Sequence, residues 1–174
     1  SAVLDIGAND GTLLSHYAEL PLIPIRYGVE PATNLHKRLR AHTDVQIHDY
    51  FPTNQLAGHG KFTVITAIAM CYDLEDPRAL FQAINDELLP GGVAIVQLQD
   101  FGQQLESNAF DNIVHEHLEY YTLWSLTHIL QAAQLTVQRC TLTPINGGSL
   151  RVVLRRVEDH VPVEPSVGFQ LAHE

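Results

Sequence analysis

The sequence predicts an α/β fold with a doubly wound, mostly parallel sheet of seven strands, in which the last strand is antiparallel. Three observations support this prediction. Strand-like and helix-like segments alternate through the first five strands. The segment Phe62–Ala69 is mainly apolar, as strands are when both faces of a parallel sheet are covered. The last two strand-like segments are separated by the short turn Pro144–Gly148, which favours an antiparallel pair.

Composition and charge indicate one globular domain, since 45% of the 174 residues are hydrophobic and 17% are charged. No apolar run approaches the ~18 residues that a membrane span requires. The formal net charge of −10 argues against nucleic acid and against an anionic membrane as partners, because both require a cationic face. Two cysteines are too few for a disulfide scaffold or a four-thiolate zinc site, and they favour a reducing, cytoplasmic location.

The first half of the chain contains four strand-like segments with helices between them. The segments are Ala2–Ile6, Ile25–Val29, Val45–His48 and Phe62–Ala69. Helical spacing of apolar residues predicts a helix over Thr12–Leu20 and a second over Ala32–Ala41. Pro21 and Pro24 are expected to end the first helix, because proline lacks the N–H that a helix interior needs.

The second half begins with a predicted helix over Asp76–Leu89, for which Pro90-Gly91-Gly92 is a typical stop signal. A strand at Val93–Leu98 and a helix at Thr122–Ala133 come next. Two strands close the domain, at Val137–Thr143 and Ser149–Arg156.

The domain is expected to comprise residues 1–156, followed by a tail over residues 157–174. Val161–Glu174 has two prolines and no clear apolar period, so we expect this tail to be loosely held.

The turn after the first strand carries the first functional signal. Gly7 and Gly11 allow a tight turn and close approach of a ligand, and the following helix offers free N–H groups. Asn9 stands where a dinucleotide-binding fingerprint has glycine, which argues against a pyrophosphate. Glu30 ends the second strand about 20 residues later, where a carboxylate can accept hydrogen bonds from both ribose hydroxyls. The pattern predicts a nucleoside-containing ligand.

Asp5, Gly7 and Gly11 form a D-x-G-x-x-x-G pattern that, with Glu30, resembles motif I of class I S-adenosyl-L-methionine (SAM) methyltransferases, which have a Rossmann-like fold. The resemblance implies that Asp5, Gly7, Asn9 and Gly11 surround the methionine part of SAM, and that Glu30 holds the ribose. It implies further contacts around the adenine and beyond the fourth strand, from Pro31, Asp49, Tyr50 or Phe51, and from the segment Thr66–Tyr72, including Thr66. A NAD-dependent dehydrogenase is the alternative.

His115, Glu116 and His117 carry the second signal, within the polar stretch Asn108–Tyr121. The two histidines lie on one side only if the segment is extended, and no third metal ligand accompanies them, so no metal site is predicted. Exposed or loop-capping histidines are one interpretation. The other is acid/base catalysis, since histidine exchanges protons near neutral pH.

Three motifs resemble the sugar C-methyltransferase family: F-D-x-I-x-x-E-H ending at His117, N-G-G-S-L-R ending at Arg151, and Met70–Pro77. Members of that family methylate the carbon next to the keto group of a nucleotide-linked 4-keto-deoxysugar. The resemblance implies that His117 is the general base and Glu116 its partner. Arg151 would pair with a substrate phosphate or with a local acid. Val114 and Cys71 stand where these relatives have tyrosine and histidine, which weakens the prediction of the substrate.

The expected partner is therefore a small-molecule acceptor, with a nucleotide-linked sugar as one candidate, and the oligomeric state is not predicted. The family's longer members have an N-terminal zinc-binding domain and a further C-terminal region, of which residues 157–174 would be the start. Methylation by this chain alone is expected to be slow or absent. The alternatives are O- or N-methylation of a small molecule and a non-catalytic domain of a larger enzyme.

Overall fold

The computed structural model describes residues 1–20, 22 and 25–174, and its described part contains a single sheet of seven strands. Pro21 and Pro24, the predicted ends of the first helix, lie outside the described residues. The strands are β1 (Ala2–Ile6), β2 (Ile25–Val29), β3 (Val45–Ile47), β4 (Phe62–Ile68), β5 (Leu88–Gln99), β6 (Leu135–Thr143) and β7 (Ser149–Arg156). They lie in the order β3-β2-β1-β4-β5-β7-β6. This confirms the predicted α/β fold.

The parallel half of the sheet is centred on β1, which pairs with β2 on one side and β4 on the other. Asp5 is opposite Gly28 on β2 and Thr66 on β4. The chain reverses its direction of winding between β1 and β4, and ligands of doubly wound sheets bind beyond the strand ends at this point.

The antiparallel half of the sheet confirms the predicted pairing of the last two strands and adds a detail. β7 lies between β5 and β6 and is antiparallel to both. Gln97 on β5 is thereby opposite Arg151 on β7.

The described helices are α1 (Thr12–Tyr17), α2 (His36–Leu39), α3 (Pro77–Glu87), α4 (Phe101–Ser107), α5 (Leu123–Ala132) and α6 (Pro165–Leu171). The first two are shorter than predicted. The expected stop at Pro90-Gly91-Gly92 is wrong, because α3 ends at Glu87 and those residues lie within β5. Leu88 is already extended there, is buried and pairs with Phe62 of β4, so strand pairing ends the helix.

The alternation of side chains along β1 separates the two faces of the sheet. Leu4 and Ile6 belong to the main core, which includes buried residues of α3, α5 and α6. Val3 packs on the other face with Leu14 of α1 and Leu39 of α2.

The expectation of a loose tail is wrong for the last part of the chain. Helix α6 packs against β6, and Val167 is buried. The Glu174 carboxylate accepts hydrogen bonds from the Leu123 and Trp124 N–H groups at 2.7 and 2.8 Å, which caps the start of α5. The sequence does not predict this packing, because a helix of seven residues is too short for a clear apolar period and α6 is held by its contacts with β6.

Candidate active site

Two adjoining cavities open beyond the ends of the parallel strands. The smaller, of about 410 Å³, lies beside the ends of β1, β2 and β4, and the larger, of about 560 Å³, extends from the β1 turn toward β5 and β7. Gly7, Asn9 and Ile68 line both cavities. One ligand can therefore occupy both by passing these residues.

In the turn between β1 and α1, the residues of the glycine motif adopt a left-handed backbone conformation. Gly7, Asn9 and Gly11 all have positive φ angles, of 69°, 51° and 85°. Asparagine tolerates this left-handed conformation better than most residues, so Asn9 can replace a glycine here. A Cβ on Gly11 would lie 2.9 Å from the His42 Cβ, so Gly11 is required by close packing. Gly11 lines neither cavity.

Glu30 is the central polar residue of the smaller cavity and is only 7% exposed. Its Oε2 accepts the Asn9 N–H at 2.9 Å, and its Oε1 accepts the Ala32 N–H at 2.8 Å. A carboxylate has about four acceptor positions, so this fixed side chain can still accept two ligand hydroxyls.

The far wall of the smaller cavity contains the other residues assigned to the nucleoside: Pro31, Asp49, Tyr50 and Phe51. Tyr50 is 74% exposed, whereas Phe51 is buried. Hydrogen bonds from the Thr53 hydroxyl, the Tyr50 N–H and the Gln55 amide hold the pKa of Asp49 below its usual value. Asp49 is thus an ionised acceptor at the cavity edge.

Asp5 and Thr66 lie together in the larger cavity, with the Thr66 hydroxyl donating to Asp5 Oδ1 at 2.6 Å. Asp5 is only 3% exposed. Burial raises its pKa from 3.8 to about 7, outweighing the hydrogen bond from Thr66, and the nearby Glu30 charge acts in the same direction as burial. Asp5 can therefore change its charge near neutral pH when a cationic ligand group approaches.

Arg151 and Gln97 form the opposite side of the larger cavity. The Arg151 Nε–H and Nη2–H both donate to Gln97 Oε1, at 2.9 and 2.7 Å. None of the three ion pairs among the described residues includes Arg151. The expected local acid is therefore replaced by a neutral amide, and sequence reasoning missed Gln97, a buried polar residue of β5.

His117 is held by the backbone. Its Nδ1 lies 2.8 Å from the Asn112 carbonyl oxygen, which can only accept, so the proton is on Nδ1 and Nε2 is the other nitrogen of the ring. The ring packs edge-on against Tyr72, with 4.5 Å between centroids. The Tyr72 carbonyl in turn accepts the Leu118 and Glu119 N–H groups at 2.8 and 3.0 Å, which fixes this loop at the end of β4.

Glu116 was expected to be the partner of His117, but the structure gives that position to the Asn112 carbonyl. Both His115 and Glu116 are exposed. Asp73 lines the smaller cavity, and the charges of both His117 and Glu116 affect its pKa. Burial raises its pKa, and His117 lowers it. His117 therefore lies next to the smaller cavity without lining it.

A chain of amides positions Asn112. The Gln104 Nε2 donates to Gln99 Oε1 at 2.8 Å, and the Gln99 Nε2 donates to Asn112 Oδ1 at 2.9 Å. Asn112 Nδ2 donates to the Asn146 carbonyl at 3.2 Å. The N-G-G-S-L-R motif thus meets the His117 loop through Asn112, a contact that sequence reasoning did not identify.

The part of the chain that the structure describes has no group of three or more histidine, cysteine, aspartate or glutamate side chains that could hold a metal ion. Within the same residues, no helix combines the length and apolar character of a membrane span. Both cysteines are buried and unpaired.

Comparison with protein families gives a match to the model described as "Methyltransferase domain", over residues 1–139. A curated relative, the C-methyltransferase NovU from Streptomyces niveus, is 25% identical over 99% of this chain and 41% of its own length. The chain therefore spans about two fifths of that relative.

Solved structures share the fold at low sequence identity. The CcbJ methyltransferase from Streptomyces caelestis has a TM-score of 0.70 and 16% identity, covering 89% of this chain and 83% of its own. Magnesium protoporphyrin IX methyltransferase from Synechocystis PCC 6803, solved with bound S-adenosylhomocysteine (SAH), has a TM-score of 0.65 and 12% identity, covering 89% and 74%.

Proposed function

The chain belongs to the methyltransferase-domain family, and we propose that it is a SAM-dependent enzyme that methylates a carbon next to a keto group. The proposed acceptor is a nucleotide-linked deoxysugar or a similar small ketone, bound with the help of regions beyond this domain. The observation that carries the proposal is the orientation of His117, whose Nδ1–H is taken by Asn112 so that Nε2 can accept a proton. The 25% identity to a C-methyltransferase supports the same reaction.

The residues of the two cavities fit SAM. Glu30 would hold the ribose hydroxyls, with Pro31, Asp49 and Tyr50 around the base. Asp5, Gly7, Asn9 and Thr66 would surround the methionine part, and Gly11 would keep the turn closely packed. When bound, SAM supplies a methyl group on a positively charged sulfur, which is a strong electrophile.

His117 would remove the proton from the carbon next to the carbonyl. The C–H bond breaks, its electron pair stays on the substrate as an enolate, and the proton moves to Nε2. The resulting imidazolium keeps its Nδ1–H bond to Asn112 and lies near the Asp73 carboxylate. Glu116, exposed on the same loop, would add negative charge and not a direct hydrogen bond.

The experiment follows proton exchange rather than methylation. A nucleotide-linked 4-keto-deoxysugar is incubated with the chain and SAH in D₂O, and deuterium entry next to the keto group is followed by NMR. We expect exchange well above the uncatalysed rate. His117→Asn should slow it by roughly 10²–10⁴-fold, the usual contribution of a general base, while SAH affinity stays unchanged.

His115→Asn is the matched control, because this exposed histidine lies two residues away on the same loop and should exchange like the wild type. Undiminished exchange in His117→Asn would contradict the assignment of the base. No exchange by the wild type, together with methylation of an amine or hydroxyl, would favour the alternative O- or N-methyltransferase. SAH binding without any methylation would favour a non-catalytic domain.

A further inference from the structure

We propose that Arg151, oriented by Gln97, binds the α-carboxylate of the methionine part of SAM. The inference rests on the use of SAM by this domain and does not depend on the identity of the acceptor. It assigns a cofactor role to the arginine of the N-G-G-S-L-R motif, which lies far along the chain from the glycine turn at Gly7.

The side chain of Arg151 is already oriented for an anion. Its Nε and Nη2 donate from one edge of the guanidinium to Gln97 Oε1. Gln97 is only 5% exposed, so its amide is a fixed support. The Nη1–Nη2 edge remains, and this edge matches the two oxygens of a carboxylate.

The cavity connects Arg151 with the cofactor residues. The same cavity of about 560 Å³ is lined by Arg151, by Asp5 and by Gly7 and Asn9 of the turn. Gly7 and Asn9 also line the smaller cavity, which contains Glu30. A ligand with its ribose on Glu30 can thus extend past Asn9 toward Arg151.

The charges of the two linings favour a carboxylate at this position. Five acids line the cavities: Asp5, Asp10, Glu30, Asp49 and Asp73. Among the described lining residues, Arg151 is the only cation, and no histidine lines either cavity. The acids suit the sulfonium and ammonium groups of SAM and repel its carboxylate, which Arg151 attracts.

Calorimetry with two ligands tests the assignment without any methyl transfer. SAH carries the carboxylate, and 5′-S-(3-aminopropyl)-5′-thioadenosine keeps the adenosine, the sulfur and the amino group but lacks it. We expect Arg151→Gln to weaken SAH binding at least tenfold and to change binding of the second ligand by less than twofold. Gln97→Leu should give a smaller loss, again confined to SAH.

Arg40→Gln is the control for net charge, since Arg40 is exposed and lies outside both cavities. Thermal unfolding of each variant without ligand checks the fold. Normal SAH affinity in a folded Arg151→Gln variant, or equal loss for both ligands, would overturn the inference while SAM use stands. If acceptor binding alone weakens, the cation serves an acceptor anion, and the carboxylate assignment is wrong. If the wild type binds neither ligand, both the inference and SAM binding by this chain fail.

Discussion

Asp5 shows at the scale of one residue how a motif position acquires its chemistry. The sequence places an acid at the end of β1, but the sheet buries it between β2 and β4 and pairs it with Thr66. Burial raises the pKa of Asp5 more than the hydrogen bond from Thr66 lowers it, so the pKa is about 7. A folded chain that holds this proton more tightly than the unfolded chain must lose stability as the pH rises from 3.8 toward 7.

Asp5→Asn should remove that loss, because an amide does not titrate. Between pH 4 and pH 8, we expect the free energy of unfolding of the variant to increase by up to about 4 kcal/mol relative to that of the wild type. Urea unfolding at a series of pH values measures the difference. A difference that does not change with pH would show that Asp5 ionises normally in the folded chain.

The turn between β6 and β7 shows how an element positions a distant side chain. Gly147 and Gly148 lie against Asn112 and Gln103, and a Cβ on Gly148 would lie 2.4 Å from the Gln103 Cβ. Gly148 also has a φ of 123°, which disfavours other residues. Close approach at this turn holds Asn112, whose carbonyl orients His117.

Gly148→Ala should therefore lower the free energy of unfolding by roughly 2–4 kcal/mol and slow proton exchange at the substrate. Gly168→Ala is the matched change, since a Cβ on Gly168 of α6 would meet no heavy atom within 4 Å beyond the adjacent backbone of its own helix. Helix propensity predicts a gain of about 0.5–1 kcal/mol. Chemical denaturation measures both. Equal effects of the two substitutions would contradict the role of close packing.

At the scale of the whole molecule, the last segment stabilises the domain on the side of the sheet away from α1. Val167 joins the main core, Arg139 pairs with Glu164 at 2.8 Å, and Glu174 caps α5. The ion pair is exposed and contributes little, so burial and capping carry most of the effect.

Deleting residues 161–174 should lower the free energy of unfolding by roughly 2–4 kcal/mol, from one buried valine and one lost helix cap. SAH affinity should remain within about twofold, because both cavities lie at the ends of other strands. Thermal unfolding and calorimetry on the truncated chain measure the two effects. Unchanged stability, or loss of SAH binding by a folded sample, would contradict this division.

Much of the fold and part of the site could be predicted because their signals are local. Apolar runs separated by glycine and proline determine where strands form, and the spacing from Asp5 to Gly11 with Glu30 predicts the proposed cofactor site. The end of α3 and the packing of α6 were not predictable in this way. Leu88 becomes a strand residue through Phe62, which is 26 positions away in the chain, and α6 is stabilised by β6.

Short-range patterns in the sequence thus encode the α/β class and the family resemblance, and the residues proposed to surround the nucleoside follow from that resemblance. The tertiary structure places β7 between β5 and β6, and this brings Arg151 to Gln97 across 54 positions of the chain. It also decided that Asn112, and not Glu116, orients His117. These contacts depend on strand pairing and close packing between distant segments, and such pairings are decided by the burial of the whole core.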